Sequence, residues 1–371
     1  MLTIMYNYCK CHNNHKNMKN FQILLVLLLS ISYSAMAVDY KTQSDDTQLK
    51  LKASDSLLPS LRLSAEKGNA EAQYSLGNIY KQGVGVEVSD VRAFFWYKKA
   101  AEQGLAKAQN NLAFMYQKGD GTKADLNEAF KYFKLAADQN YALAKYNLAL
   151  MYKDGNGVEK NTLTAIDYFT QAGDQGIYDA YLNLGIMYFF GDGVKEDRMT
   201  AADWFSKAAK DNIPEAQYYL GLMSEKGDGL TQDYVAASYF YTQAAEHGHV
   251  LAMYDLAIMY ATGTGTKPDN TQAAYWFTKA AEAGNADAQY NIGVMYDVGG
   301  GVPKDEEKAV EWYLKAAEQG SVDAQYNLGI KYLEGEGTDK DKDRAIYWFT
   351  KASEQGDQDA KAYLEQLLSE K

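Results

Sequence analysis

Residues 315–337 read KAAEQGSVDAQYNLGIKYLEGEG. Moved along the chain in steps of 36, this stretch finds its own pattern again from position 68 onward, without an insertion or deletion. A period of that length marks a stacked-repeat architecture, in which each unit lacks a core of its own and buries its apolar face against its neighbours. At the place of Gly320 stand Gly68, Gly104, Asn140, Gly176, Asn212, Gly248, Gly284 and Gly356. Only glycine and asparagine appear, residues that tolerate the left-handed backbone just past a helix end, so the position reads as a helix stop.

Ala324 is alanine at every equivalent, Leu328 is leucine or once isoleucine (Ile292), and Tyr332 is usually tyrosine. Spacings of four and eight put these three on one helical stripe, which predicts a first helix, A, over residues 322–334 of this repeat. After it comes Gly-x-Gly in all eight units, from Gly83/Gly85 to Gly335/Gly337. A dinucleotide site would need a third glycine three residues on and a preceding strand, and neither is present. Asp154-Gly155-Asn156 opens like a calcium loop, but Val158 and Ala165 fall at positions that must ligate. No cofactor or metal is therefore expected.

Four residues past the second glycine stand Ser89, Asp125, Asn161, Asp197, Asp233, Asp269, Asp305 and Asp341, all strong N-cap residues that predict the start of a second helix, B. Helix B carries an aromatic pair in each unit. All five tryptophans, Trp96, Trp204, Trp276, Trp312 and Trp348, share one register, which reads as core.

The chain thus parses as a half unit, 57–67, then full repeats 68–103, 104–139, 140–175, 176–211, 212–247, 248–283, 284–319 and 320–355, and a capping helix 356–371 whose outward positions turn charged. The expected fold is an all-α solenoid superhelix of antiparallel helix pairs.

The N-terminal end reads differently. Lys16 and Lys19 precede the apolar run 21–31, and Ala35-Met36-Ala37 follows, the layout of a signal peptide cleaved after Ala37. The run is short of the roughly 20 apolar residues that span a bilayer, so no membrane insertion is expected after cleavage. Met18 is a second plausible start, and 38–56 reads as a polar lead-in. Cys9, Cys11, His12 and His15 resemble a metal-binding tract but lie in the leader. Without it the chain has 34 Lys and Arg against 49 Asp and Glu, a net charge of −15, and no cysteine. Such a surface repels phosphate backbones, which argues against nucleic acid as a partner. The leader places the protein in the periplasm or outside the cell.

The pattern A-x-Y-x-L-G-x-M-Y-x-x-G-x-G, a cap, then A-x-x-W-[YF]-x-K-A-A-E-x-G resembles the Sel1-like repeat, a relative of the tetratricopeptide repeat, over about 57–371. The resemblance implies a right-handed superhelix with helix A on the concave side, serving as an adaptor for other proteins. It also implies frequent export in bacteria and a link to envelope regulation or host-cell contact. A cysteine-paired branch associated with penicillin binding is not carried over, because the mature chain has no cysteine.

Three functions remain in view. A protein-binding scaffold would use helix A positions that vary between repeats, chiefly the tyrosines Tyr146, Tyr218, Tyr254, Tyr290 and Tyr326. Phe189 and Phe190 join them, as two apolar rings where other repeats carry Lys-Gln, Gln-Lys or Glu-Lys at the helix end. An enzyme acting on cell wall or β-lactam would have only Ser or carboxylate nucleophiles and the two histidines His247 and His249, with no third partner in sight; no enzyme is expected. A carbohydrate- or cell-wall-binding module would stack sugars on aromatic rings. Ser224, standing where seven repeats have tyrosine, would open a small pocket or be compensated by a neighbour.

Overall fold

The structure is a computed structural model that describes residues 57–369; the signal-peptide expectation, Cys9, Cys11 and the lead-in 38–56 lie outside the described residues. Eighteen α-helices and no strand make up those residues. They fall into two compact units, 57–211 and 212–369. The first holds α1 (Leu57–Glu66) and the pairs α2 (Ala70–Gln82) with α3 (Asp90–Glu102), α4 (Ala106–Lys118) with α5 (Leu126–Asp138), α6 (Ala142–Asp154) with α7 (Thr162–Asp174), and α8 (Asp179–Phe190) with α9 (Arg198–Ala209). The second holds α10 (Pro214–Lys226) with α11 (Tyr234–Glu246), α12 (Val250–Thr262) with α13 (Asn270–Glu282), α14 (Ala286–Val298) with α15 (Glu306–Glu318), α16 (Val322–Glu334) with α17 (Lys342–Glu354), and the last helix, α18 (Gln358–Ser369).

Each pair is an antiparallel hairpin, because contacts run in opposite order along its two helices. In the first hairpin the Ser89 amide bonds the Tyr80 carbonyl, Tyr97 lies on Gly77, and Gln103 bonds Gln73. Helix A ends each time on the first glycine of the loop, with φ between 68° and 80°. Helix B starts each time on the expected cap, whose side chain accepts a first-turn amide, as Asp269 does from Thr271 and Gln272. The loop is pinned by one further bond, from the cap residue's amide to the carbonyl nine residues back. That carbonyl belongs to tyrosine in seven repeats and to Ser224 in the fifth, where Asp233 still bonds it at 2.8 Å. The bond uses backbone only, which is why Ser224, itself buried, replaces tyrosine without unpinning the loop.

Packing separates the two aromatics of helix B. The second of the pair, from Tyr97 and Phe133 to Tyr313 and Phe349, is at most 3 % exposed. It lies over a glycine or alanine of helix A; an added Cβ on Gly77 would meet the Tyr97 ring at 2.5 Å. Burial of one such ring contributes on the order of 2 kcal/mol. The tryptophan register, read from sequence as core, is instead a flank: Trp96, Trp204, Trp276 and Trp312 stay half-buried and only Trp348 is buried. Lysines cover the open ring faces, Lys207 at 3.9 Å over Trp204 and Lys315 at 3.8 Å over Trp312.

Successive hairpins are tied by a polar relay inside the stack. Gln109 in α4 donates to the Ala101 carbonyl at the end of α3, and its own oxygen accepts from Gln139 at 2.7 Å. Gln73, Gln289 and Gln325 repeat the arrangement. Each relay satisfies a buried amide and a free helix-end carbonyl together, a condition for burying either.

Candidate functional site

The variable tyrosines of helix A sit at one register, and their rings back onto the core aromatic of the same hairpin. Centroids are 5.8 Å apart for Tyr146 and Phe169, 5.7 Å for Tyr218 and Tyr241, 5.8 Å for Tyr254 and Phe277, and 5.9 Å for both Tyr290–Tyr313 and Tyr326–Phe349. The ring bodies therefore belong to the core, and the hydroxyls of Tyr146, Tyr218 and Tyr326 reach toward the following helix A. Tyr146 is 1 % and Tyr290 8 % exposed, so these two offer little ring to a partner, whereas Tyr218, Tyr254 and Tyr326 are half-buried. Four of the five, Tyr218, Tyr254, Tyr290 and Tyr326, fall in one row within the unit 212–369; Tyr146 belongs to the unit 57–211.

The residue one position further along helix A completes the surface. Asn147 donates to Asn110 at 3.1 Å and Asn183 to the Tyr146 hydroxyl at 3.3 Å, each reaching back 37 residues to the previous helix A. In the second unit Tyr218 bonds Asp255 and the Tyr326 ring meets Tyr363 at 6.1 Å. Hydroxyls and amides thus zip neighbouring hairpins along the face that carries the tyrosines.

Phe189 and Phe190 close the end of α8 in the other unit. They meet edge to face at 4.9 Å, and Phe189 lies 6.1 Å from Phe205 with the Arg198 guanidinium 3.7 Å above its ring. Both are half-buried: they pack within their own hairpin and still present an edge to solvent.

The two histidines have structural work. His249 is the N-cap of α12, its Nδ1 accepting from the Ala252 amide at 3.1 Å, which places the proton on Nε2 facing Glu215 at 3.1 Å. Its ring stacks on Tyr218 at 4.3 Å. The His247 ring bonds the Gln243 carbonyl. Among the described residues no group of three or more His, Cys, Asp or Glu could hold a metal ion.

Electrostatics divides the helix A face from the loops. Burial raises Asp255 to about 7, with the Glu225 charge adding to it and the Tyr218 bond and Lys226 opposing. Asp287 is raised as well, by desolvation first and then by the Asp323 charge. At the loop ends the direction reverses: backbone bonds from the first turn of the helix lower Asp197 and Asp305. Asp255 was not singled out in the sequence, though one signal was there: five of the eight repeats have asparagine in its register, at Asn111, Asn147, Asn183, Asn291 and Asn327.

These features define an all-α solenoid of helix hairpins with a tyrosine- and amide-lined helix A face, the class of repeat scaffolds that serve protein–protein interaction. The Sel1 repeat model matches residues 70–105, 106–141, 142–177, 179–212, 214–249, 250–285, 286–321 and 322–357, and the chain belongs to that family. Its structure is similar to that of a protective antigen present in uropathogenic Escherichia coli strains, which displays an SLR fold. The two share 37% sequence identity with a TM-score of 0.76, over 83% of this chain and 66% of that one, so the chain spans just under two thirds of the antigen. A Sel1 repeat protein from Oxalobacter formigenes is similar at 33% identity and a TM-score of 0.65, covering 86% of this chain and 93% of that one. No curated protein matches the sequence. No helix among the described residues is long and apolar enough to cross a membrane.

Proposed function

We propose that this chain is an exported, non-catalytic scaffold that holds another protein against the helix A face of its repeats, in the periplasm or outside the cell, in envelope regulation or contact with host cells. One observation carries the reading. Tyr218, Tyr254 and Tyr326 are anchored from behind by core rings, so the part of each side chain that stays exposed is held in place at little further entropic cost, the property that makes tyrosine a frequent interface residue. Export is supported by the leader at 1–37, and the likeness to a protective antigen agrees with it, since an antigen is met by an immune system.

The test is capture in the native cell. A photo-crosslinking residue at Tyr254 or Tyr326 should join the chain to a distinct protein, and crosslinks that form only from exposed helix B positions such as Val235 would overturn the choice of face. Replacing Phe189 and Phe190 by Ser should preserve the helical circular dichroism spectrum and weaken capture several-fold. Undiminished capture would remove the phenylalanine pair from the binding surface.

Carbohydrate binding has one observation in its favour. Tyr239, Tyr275 and Tyr347 stand at one helix B register, 60 %, 51 % and 53 % exposed, each edge-on to the aromatic that follows it. On that reading, retention on cell-wall glycan would fall when Tyr275 and Tyr347 become Ala and would not respond to changes at Tyr254.

A further inference from the structure

Within the unit 212–369 the same joint is built twice, 72 residues apart, with different charges. In the later copy Tyr313 donates to Asp297, Asn327 stands next to that pair on the following helix A, and Lys331 reaches Asp297 at 2.6 Å and Glu336 at 2.8 Å. In the earlier copy Tyr241 donates to Glu225 at 2.7 Å, Asp255 stands where Asn327 does, and Met259 occupies the place of Lys331. One joint therefore answers its carboxylates, Asp297 and Glu336, with a lysine. The other sets two carboxyl groups together and has a buried methionine in the lysine's place.

The groups that face Asp255 are few. From α10 come Glu225, the Tyr218 hydroxyl and Lys226, and from α14 comes Asp287. Tyr241 of α11 is shared with Glu225, and the His249–Glu215 pair lies beyond the Tyr218 ring. Lys226 is the one cation among them.

We propose that Asp255 is a proton-controlled joint between the hairpin α10–α11 and the helix α12: neutral, it fits the site as the asparagine does in other repeats, and ionised, it adds a second negative charge beside Glu225 and loosens the contact. Its rise to about 7 places the change near neutrality. The sign follows from linkage. The folded form holds the proton to higher pH than the unfolded chain, whose aspartate titrates near 4, so stability is full below about pH 4 and is lost as pH rises toward 7. The device is independent of which partner the scaffold holds.

The experiment uses the full chain and its Asp255→Asn variant. Hydrogen exchange of the α12 amides, corrected for intrinsic rates, should show an opening constant that rises about fiftyfold more in the parent than in the variant between pH 5 and pH 7. A carboxyl carbon resonance of the labelled parent, absent from the variant, should titrate with a midpoint close to 7. Parallel pH dependence in the two chains, or a midpoint in the ordinary carboxylate range, overturns the proposal. Should the Asn variant fail to fold, Met259→Lys supplies the missing cation and should pull the parent's midpoint down by at least one pH unit; an unmoved midpoint overturns it as well.

Discussion

Gly301→Ala lowers the stability of the protein by about 2 to 5 kcal/mol, combining left-handed strain of about 1–2 kcal/mol with overpacking of about 1–3 kcal/mol. Gly301 is the second glycine of its loop, at φ +82°, and a Cβ there would run into the carbonyl of Asn270, the first residue of α13 in the preceding hairpin. Backbone cannot swing aside as a long side chain can. Gly121, Gly157, Gly265 and Gly337 press in the same way on Asp90, Leu126, Tyr234 and Glu306, in each case 31 residues back. Gly85 supplies the control, because it has nearly the same conformation, φ +68°, and nothing within 4 Å of the added carbon. Gly85→Ala should cost only the conformational part, about 1–2 kcal/mol. Thermal melts of the two variants check this. Equal losses would mean that the second glycine serves the turn alone and not the docking of one repeat on the next.

The second large effect is a coupled pair. Gly173, at the end of α7, stands where most other repeats have alanine, and Tyr181 of α8 stands where most have glutamine. Both departures have one cause: a Cβ on Gly173 would overlap the Tyr181 ring. With glutamine absent, the usual relay to the helix-end carbonyl is replaced by a bond from the Tyr181 hydroxyl to Asp174 at 2.6 Å and by a stack on Trp204 at 5.5 Å. Gly173→Ala alone should cost about 2 to 3 kcal/mol through overpacking. Added to Tyr181→Gln, which restores the relay seen with Gln109 and Ala101, the same change should cost little, giving a coupling energy above about 1 kcal/mol. Additive losses across the cycle would show that glycine and ring are independent.

Much of the fold was legible because its determinants are local. N-cap side chains, left-handed glycines and the four-residue spacing of Ala324, Leu328 and Tyr332 each act within one or two turns, so helix A of that repeat spans Val322–Glu334 as the spacing predicts. The candidate site was legible in part. The tyrosine register was visible as a variable one, but nothing near Tyr146 or Tyr254 in sequence says that the first is buried and the second half-exposed. The tryptophan register was legible only in part for the same reason, since Tyr132 and Trp348 are buried while the other tryptophans are half-buried against the core. Two adjacent aromatics on a helix both look like core, and it is the second that packs on the small residue across the hairpin, as Tyr97 does on Gly77.

By itself, then, the sequence determined the period, the helix boundaries, the stops and caps, and membership of a stacked-hairpin class, since all of these follow from interactions a few residues long. Only the tertiary structure decided why the second glycine of each loop is needed, which tyrosines keep a surface, and that Asp255 shares its site with Glu225. Those outcomes depend on backbone and charges about 30 residues away, brought together by the stacking of one hairpin on the next.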